Sequence, residues 1–354
     1  MPIVGYGATT AVGLTAAQTC AAIRARISAF EQVVFLAPPA EPIIVARVPA
    51  RQWLKRSASE WLVNMAALAL QDCLANIATE EHRVALILSL PDEHRSHPAM
   101  AKFTGPQFLE ALQERLQIRF HPLSQTLRDG HAAVVEGIVV ARNLFATTDV
   151  DYCVVGGVDS LLNYQDVERL KAANRLHEER NPQGVIPGEG AGFLAFHRPG
   201  LAIATRSIAQ VLGVGISEEK DTVLGERFST GVGLRNALEL AAKDSSCLES
   251  QLTFRVSDMN GERYRAWESL IGSTRYYLTR RERMAVWYPA ISVGDLGAAA
   301  GALTMIIAAI GISRGYAPGP YGMCESSSDN GLRAACVLAP ASGAPVPPFR
   351  SKAA

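Results

Sequence analysis

Apolar residues along this chain alternate between two spacings, and the alternation predicts a layered α/β structure. Short β-rich runs lie at residues 2–6, 83–90 and 151–155, and longer stretches with the three-to-four-residue apolar spacing of amphipathic helices separate them. Those helices are predicted at residues 15–29, 57–77, 105–116 and 131–145. Strands of this length that alternate with helices are typical of a sheet covered by helical layers.

A second series of elements follows in the same order. It predicts strands at 208–215, 253–257, 290–292 and 334–338, and helices at 231–243, 262–277 and 296–312. The opening strands share a short pattern, Ile-Val-Gly-Tyr-Gly at 3–7 and Val-Leu-Gly-Val-Gly at 211–215. We therefore predict two similar α/β halves at 1–200 and 201–340. A flexible tail is predicted at 341–354, where Pro, Ala and Ser are frequent.

Composition narrows the function classes. Thirty-four Lys and Arg residues balance 34 Asp and Glu residues, so no net field favours nucleic acid or an anionic membrane surface as a partner. The six cysteines show no Cys-x-x-Cys pair, which indicates a reducing, cytoplasmic compartment. The opening residues lack the pattern of a signal peptide. The apolar run at 296–312 is too short for a membrane span and predicts a helix inside the core.

Four motifs resemble landmarks of the β-ketoacyl synthases, and they occur in the order of that family. The most specific is Gly-Val-Ile-Pro-Gly-Glu-Gly-Ala-Gly at 184–192, which is similar to the family's Gly-Glu-Gly-Ala-Gly turn. The others are the opening strand and loop at 3–13, Cys-Val-Val-Gly-Gly-Val-Asp at 153–159, and Ser-Val-Gly-Asp-Leu-Gly-Ala-Ala-Ala-Gly at 292–301. The resemblance covers roughly residues 2–340.

The resemblance implies the thiolase fold, in which two similar α/β halves form a five-layer α-β-α-β-α sandwich. It also implies a homodimer, or a heterodimer with an active ketosynthase, in which the strand at 151–155 pairs with its mate. The expected partners are acyl carrier protein or acyl-CoA, and no cofactor or metal is expected. Because one fold hosts many chemistries, function has to be argued from the site.

The catalytic residues of that family are not recognisable here. Condensation needs a thiolate at a helix N-terminus and two histidines, but the family's interval from Gly156-Gly157 places His131 at the nucleophile position. The two histidine positions correspond to Asn260 and Asp295. In the same alignment Gly188, Glu189 and Gly190 form a structural turn near the site, with Glu189 in internal hydrogen bonds. The gate loop corresponds to Ser327, Asp329 and Gly331.

These substitutions leave two functional hypotheses. The first is a non-condensing subunit of fatty-acid or polyketide metabolism, comparable to a chain-length factor or scaffold, that binds acyl chains or acyl carrier protein. The second is an acyltransferase or thioesterase that acts on acyl thioesters without a cysteine nucleophile, with His131 as the base beside Asp295 and with Asn260 as a donor to an oxyanion. A histidine at a helix start is also commonly a packing residue.

Two further segments have open alternatives. His94 and His97, with Asp92 and Glu93 beside them, have a spacing that allows a metal site, but Pro91 and Pro98 favour a solvated loop. The polar run Glu-Arg-Tyr-Arg at 262–265 either reshapes the acyl entrance or forms a solvated helix start.

Overall fold

The computed structural model describes residues 1–34, 41–49, 57–201 and 206–341. The strands are β1 Pro2–Thr9, β2 Phe30–Val33, β3 Ile43–Ala46, β4 Val84–Ser89, β5 Gln125–Leu127, β6 Tyr152–Ser160, β7 Glu189–His197, β8 Ala209–Glu218, β9 Phe254–Ser257, β10 Ala285–Trp287, β11 Gly322–Ser327 and β12 Leu332–Pro340. The helices are α1 Ala16–Arg24, α2 Ala58–Leu74, α3 Gly105–Leu116, α4 Ala133–Thr147, α5 Tyr164–Ala172, α6 Val232–Ser245, α7 Arg263–Tyr276, α8 Ala290–Val293 and α9 Ala300–Ser313.

The two series of elements fold with the same topology. In the first, β4 is parallel to β5 and β6, and β7 runs antiparallel between β6 and β1. In the second, β9 is parallel to β10 and β11, and β12 runs antiparallel between β11 and β8. Strands β1 and β8 pair at only two positions, Pro2 with Gln210 and Ile3 with Ala209. They connect two five-stranded units with the same internal order.

Helices form three layers around these two units. Helix α2 packs on β1, β6 and β7, and α6 packs in the equivalent place on β8, β11 and β12. Helices α4 and α9 contact strands of both units as well as each other, so they form the central layer. The resulting order is helix, sheet, helix, sheet, helix, which is the five-layer arrangement predicted from the sequence.

Glycines in the opening strands explain the faint sequence repeat. A Cβ on Gly7 would lie 2.0 Å from the backbone oxygen of Ala69 in α2, and one on Gly215 would lie 2.1 Å from that of Ala237 in α6. Both strands therefore need glycine where the outer helix approaches the sheet backbone. The halves share this close approach, so the shared Gly-x-Gly pattern has a physical cause.

Local signals set the helix starts. Ser57 and Glu60 form a capping box at α2, and Thr104 and Gln107 form one at α3. The central helix α9 is buried along its whole length from Gly301 to Ile312. Its 14 residues span about 21 Å, and among the described helices none combines the length and apolar character that crossing a bilayer requires.

Several sequence predictions were wrong in detail. Residues 290–292 begin the short helix α8 rather than a strand, and the strand of that region is Ala285–Trp287. The hairpin of β2 and β3, the edge strand β5 and strand β11 were not predicted, because short strands lack a strong period-two signal. The strand proposed to pair across a dimer, at 151–155, lies in β6, whose two edges already pair with β4 and β7. In the part of the chain that the structure describes, the edge strand of the first unit is β5.

The domain boundary at residue 200 stays a prediction, because it falls beside residues 202–205, outside the described residues. The tail predicted at 341–354 lies outside them from residue 342 onward.

Candidate functional site

His131 lies where the central helix of the first unit begins. A short 3-10 turn, Gly130–Ala132, leads directly into α4, and Gly130 adopts a φ of +69° that favours glycine. The hydroxyl of Ser328 accepts a hydrogen bond from the backbone N–H of Ala132 at 2.9 Å and donates to the carbonyl of Asp129. The turn after β11 therefore fixes the start of this helix.

Residues far apart in the sequence meet at the imidazole of His131. Its Nε2 lies 2.7 Å from Oδ1 of Asp295, and Nδ2 of Asn260 donates to Oδ2 of the same carboxylate at 2.7 Å. The backbone N–H of Gly297 donates to Oδ1 at 2.8 Å. The N–H of Glu262 donates to Oδ1 of Asn260 at 3.1 Å and thereby fixes the orientation of that amide. The structure thus brings the three positions aligned with the family triad into one hydrogen-bonded group.

Burial and pairing set the protonation of this group. Burial alone would lower the pKa of His131, but the carboxylate of Asp295 offsets that effect and the net pKa is raised. Burial would raise the pKa of Asp295, but the charge of His131 and the hydrogen bonds from His131, Asn260 and Gly297 hold it well below its usual range. Asp295 is therefore ionised, and it favours the tautomer of His131 that carries its proton on Nε2.

A cleft opens beside this group. It contains about 590 Å³ of empty space, part of which is open to solvent, and both His131 and Asp295 line it. The other lining residues are Asp92, His94, Arg95, Gly130, Leu161, Arg169, Leu170, Arg175, Val185, Leu224, Gly297, Asp329 and Asn330. No cysteine lines it, and all six cysteines are buried and unpaired. Asn260 does not line it either, so its amide supports Asp295 instead of reaching a bound oxyanion.

One wall of the cleft is a network of buried ion pairs. Arg175 makes paired contacts with Glu262 at 2.5 and 3.0 Å and with Asp329 at 2.8 and 3.2 Å. Arg265 donates to Asp329 at 3.0 Å. Burial opposes the charge of Arg175, but its two carboxylate partners raise its pKa. Glu262 and Arg265 therefore lie behind the wall and hold the lining residues Arg175 and Asp329, and the solvated helix start was wrong for both, because both are buried.

A second network of buried ion pairs is centred on another lining residue, Arg95. Arg95 donates to Asp159 at 2.6 Å and to both oxygens of Asp166 at 2.9 and 2.6 Å. Asp159 also accepts the N–H of Ala298 at 3.0 Å, which links the end of β6 to the helix start beside Asp295. Sequence reasoning identified neither Arg95 nor Arg175 as a site residue, and it named Arg265 only as part of the polar run at 262–265. Only the polar run at 262–265 gave a signal, because arginines scattered through a sequence usually lie on the surface.

The predicted turn and gate differ from expectation. Gly188 precedes β7, but Glu189 and Gly190 are its first two residues, so they belong to a strand and not to a turn. Glu189 is buried and accepts hydrogen bonds from Val48 N, Trp61 Nε1 and Ser160 Oγ at 3.1, 2.8 and 2.9 Å, which is the internal bonding expected of it. In the predicted gate, Ser327 ends β11, while Asp329 and Gly331 lie in the following turn.

The segment of His94 and His97 is a loop, but it is only partly solvated. His97 is buried, and both of its ring nitrogens are occupied, Nε2 with the Ser160 carbonyl at 3.0 Å and Nδ1 with the Ala99 N–H at 3.1 Å. A metal ion would have to displace one of these bonds. Within the described ranges, no group of three or more His, Cys, Asp or Glu side chains is arranged to hold a metal ion.

Comparisons with known proteins agree with this architecture. No protein-family model matches the chain, and no curated protein sequence matches it significantly. Solved structures do match: the ishigamide ketosynthase/chain length factor has a TM-score of 0.80 at 18% identity, covering 96% of this chain and 98% of that one. A type II polyketide synthase acyl-carrier protein in complex with its ketosynthase bound to the hexaketide (AntDE:AntF) gives 0.81 at 12% identity, covering 96% and 99%.

A third match is the ketosynthase ApeO in complex with its chain length factor ApeC from Xenorhabdus doucetiae, with a TM-score of 0.76 at 15% identity and coverage of 96% and 98%. All three resemble this chain over nearly its whole length. The chain therefore has the thiolase fold, as the sequence motifs predicted.

Proposed function

We propose that this protein is a ketosynthase-like subunit that binds acyl thioesters but does not condense them, in the manner of a chain-length factor. The observation that carries the proposal is that His131, paired with Asp295 at 2.7 Å, lies at the start of α4 in a cleft that contains no thiol. Decarboxylative condensation needs a thiolate to hold the growing chain and histidines to stabilise an enolate. This cleft has no thiol, and the two positions aligned with the family's histidines hold Asn260 and Asp295.

The partner in this proposal is an active ketosynthase, and acyl carrier protein delivers the chain in a reducing cytoplasm. Two of the similar structures contain a ketosynthase with a chain length factor, and another contains a ketosynthase with its carrier protein. The topology supports a pairing surface at β5, because among the described strands it pairs with β4 alone and is the last strand of its unit. Leu123, just before β5, is 45% exposed.

The experiment is co-expression with a ketosynthase that has an intact cysteine and two histidines. We expect a heterodimer that elutes as one species and a change in product chain length compared with the ketosynthase alone. Leu123→Arg should weaken the heterodimer at least tenfold. Leu278→Arg is the matched control, because Leu278 is 79% exposed on the second unit. A protein that associates only with itself, and leaves product length unchanged, would contradict the proposal.

A second function is favoured by the geometry of the imidazole. No hydrogen bond joins Nδ1 of His131 to any of the described residues, while Asp295 occupies Nε2. Nδ1 is the position from which a general base acts on a group in the cleft. In this reaction Nδ1 takes a proton from water, an alcohol or an amine, whose oxygen or nitrogen attacks the thioester carbonyl. The C–S bond then breaks and the thiolate recovers the proton from His131.

Thiol release from acyl-pantetheine or acyl-CoA thioesters tests this second function. Catalysis predicts a rate that increases with pH through the raised pKa of His131, because only the neutral imidazole accepts a proton. His131→Ala should abolish the rate. An unchanged rate would exclude His131 as the base, and the absence of thiol release from any thioester would leave only the chain-length-factor-like function.

A further inference from the structure

Three carboxylates line the cleft, and they differ in how their charge is balanced. Asp295 pairs with His131 at 2.7 Å, and Asp329 pairs with Arg175 and Arg265 at 2.8 and 3.0 Å. Asp92 has no ion-pair partner among the described residues. Asp92 is therefore the one carboxylate of the cleft for which the described residues supply no cationic partner.

The surroundings of Asp92 are well defined. The residue is only 5% exposed, and its Oδ1 accepts the backbone N–H of His94 at 2.8 Å. Its Oδ2 has no hydrogen bond to a described residue and lies over Gly130, since a Cβ on that glycine would be 2.9 Å from it. Gly130 immediately precedes His131. Oδ2 of Asp92 therefore lies next to the backbone that leads into His131, the candidate base.

Neighbouring guanidinium groups make no ion pair with Asp92. The guanidinium of Arg95 donates its hydrogen bonds to Asp159, Asp166 and the Ser160 carbonyl. Arg128 donates to the backbone carbonyls of Pro91 and Asp92, not to the carboxylate. Burial raises the pKa of Asp92 and the like charge of Asp329 adds to this, while the backbone hydrogen bond from His94 and the nearby His94 and Arg95 side chains offset it only in part. A buried, ionised carboxylate without a cation beside it destabilises the protein. A cation that enters the cleft would be attracted to Asp92 and would also reduce the repulsion between Asp92 and Asp329.

We propose that Asp92 binds a primary ammonium group on the acyl portion of the ligand, so that the cleft selects amine-bearing acyl thioesters. A primary ammonium has three donors, of which one reaches Oδ2 while the others remain for nearby carbonyls or water. The cleft walls combine charged side chains of both signs with four aliphatic ones, Leu161, Leu170, Val185 and Leu224. This inference rests on the proposed function, in which the cleft receives an acyl thioester.

The test compares two isosteric probes, the β-alanyl and butyryl amide analogues of pantetheine, which resist hydrolysis and differ by NH₃⁺ in place of CH₃. Isothermal titration at pH 7 should give a dissociation constant about tenfold lower for the β-alanyl analogue. Asp92→Asn should remove that preference and leave binding of the butyryl analogue within twofold. Glu93→Gln is the matched control, because it removes a neighbouring exposed carboxylate that does not line the cleft.

The outcomes separate the inference from the proposed function. Equal binding of both analogues, or an amine preference that survives in Asp92→Asn, would overturn the role of Asp92 while leaving acyl binding intact. Failure of the wild-type protein to bind either analogue would contradict the proposed function and this inference together. Loss of the preference in both Asp92→Asn and Glu93→Gln would show a general charge effect, which also overturns the specific assignment.

Discussion

His131 and Asp295 are 164 residues apart in the chain, yet Nε2 of the imidazole and Oδ1 of the carboxylate lie 2.7 Å apart in the core. His131 lies within the 3-10 turn Gly130–Ala132 that leads into α4, and Asp295 lies two residues before the 3-10 turn Gly297–Ala299 that leads into α9. The contact between these two helices therefore joins the halves of the site as well as the halves of the fold.

The His131–Asp295 pair should make stability depend on pH. The folded pKa of His131 is raised from 6.5, so its contribution is fully present below pH 6.5 and is lost as pH rises through the folded value. The folded pKa of Asp295 is lowered from 3.8, so its contribution is present above pH 3.8 and is lost as pH falls through the folded value. The pair therefore stabilises the fold most between these limits.

Asp295→Asn tests that window by urea unfolding. We expect a loss of about 3 kcal/mol in the free energy of unfolding at pH 5.5, where the variant leaves a buried imidazole without its counter-charge. The loss should be smaller at pH 9, where His131 is closer to neutral. A difference between wild type and variant that does not change with pH would argue against an ion pair.

Asp329 should contribute to the free energy of unfolding, because it pairs with the buried Arg175 and Arg265. Asp329→Asn leaves Arg265 without a charged partner within hydrogen-bond distance, since its nearest other carboxylate, that of Asp258, is 3.9 Å away. We expect a loss of about 3 kcal/mol in the free energy of unfolding. Asp149→Asn is the matched control, because that side chain is 64% exposed and its removal should change stability little.

Gly130→Ala should strain the start of α4 for two reasons. Its φ of +69° is unfavourable for alanine, and the new Cβ would lie 2.9 Å from Oδ2 of Asp92. Gly200→Ala separates the two effects, because Gly200 has a φ of +84° and no atom within 4 Å of the added Cβ. We expect a thermal unfolding midpoint for Gly130→Ala below that of Gly200→Ala. Equal midpoints would mean that Asp92 moves away freely.

Glu189 should be structural. It accepts three hydrogen bonds while buried, and burial raises its pKa despite them. Glu189→Gln replaces one accepting oxygen with a donating amide, so at least one donor loses its partner. The expected cost is about 1 to 3 kcal/mol in the free energy of unfolding. Binding of the pantetheine analogues by the folded variant should be unchanged, and a selective loss of binding would place Glu189 in the site.

Sequence patterns recovered the parts of this protein that local interactions specify. The apolar periodicity located most helices and the strands β1, β4, β6, β8, β9 and β12, because each buries one face or its whole length in the core, but it missed β7. The glycine motifs also identified the fold, since Gly7 and Gly215 are required where an outer helix approaches the sheet. The short strands β5 and β10 carry no such signal and depend on their neighbours in the sheet.

The sequence predicted which residues form the centre of the candidate site, but not how they contact one another. Counting along the family motifs indicated His131, Asn260 and Asp295, because these positions have fixed intervals from strand ends. Their mutual hydrogen bonds, the support role of Asn260 and the ion pairs of Arg95, Arg175 and Arg265 come from the tertiary structure alone. A sequence by itself determines which residues prefer helix, strand or core. Only the packing of α4 against α9 decides which buried charges meet, because the energy of a charge depends on partners that are distant in the chain.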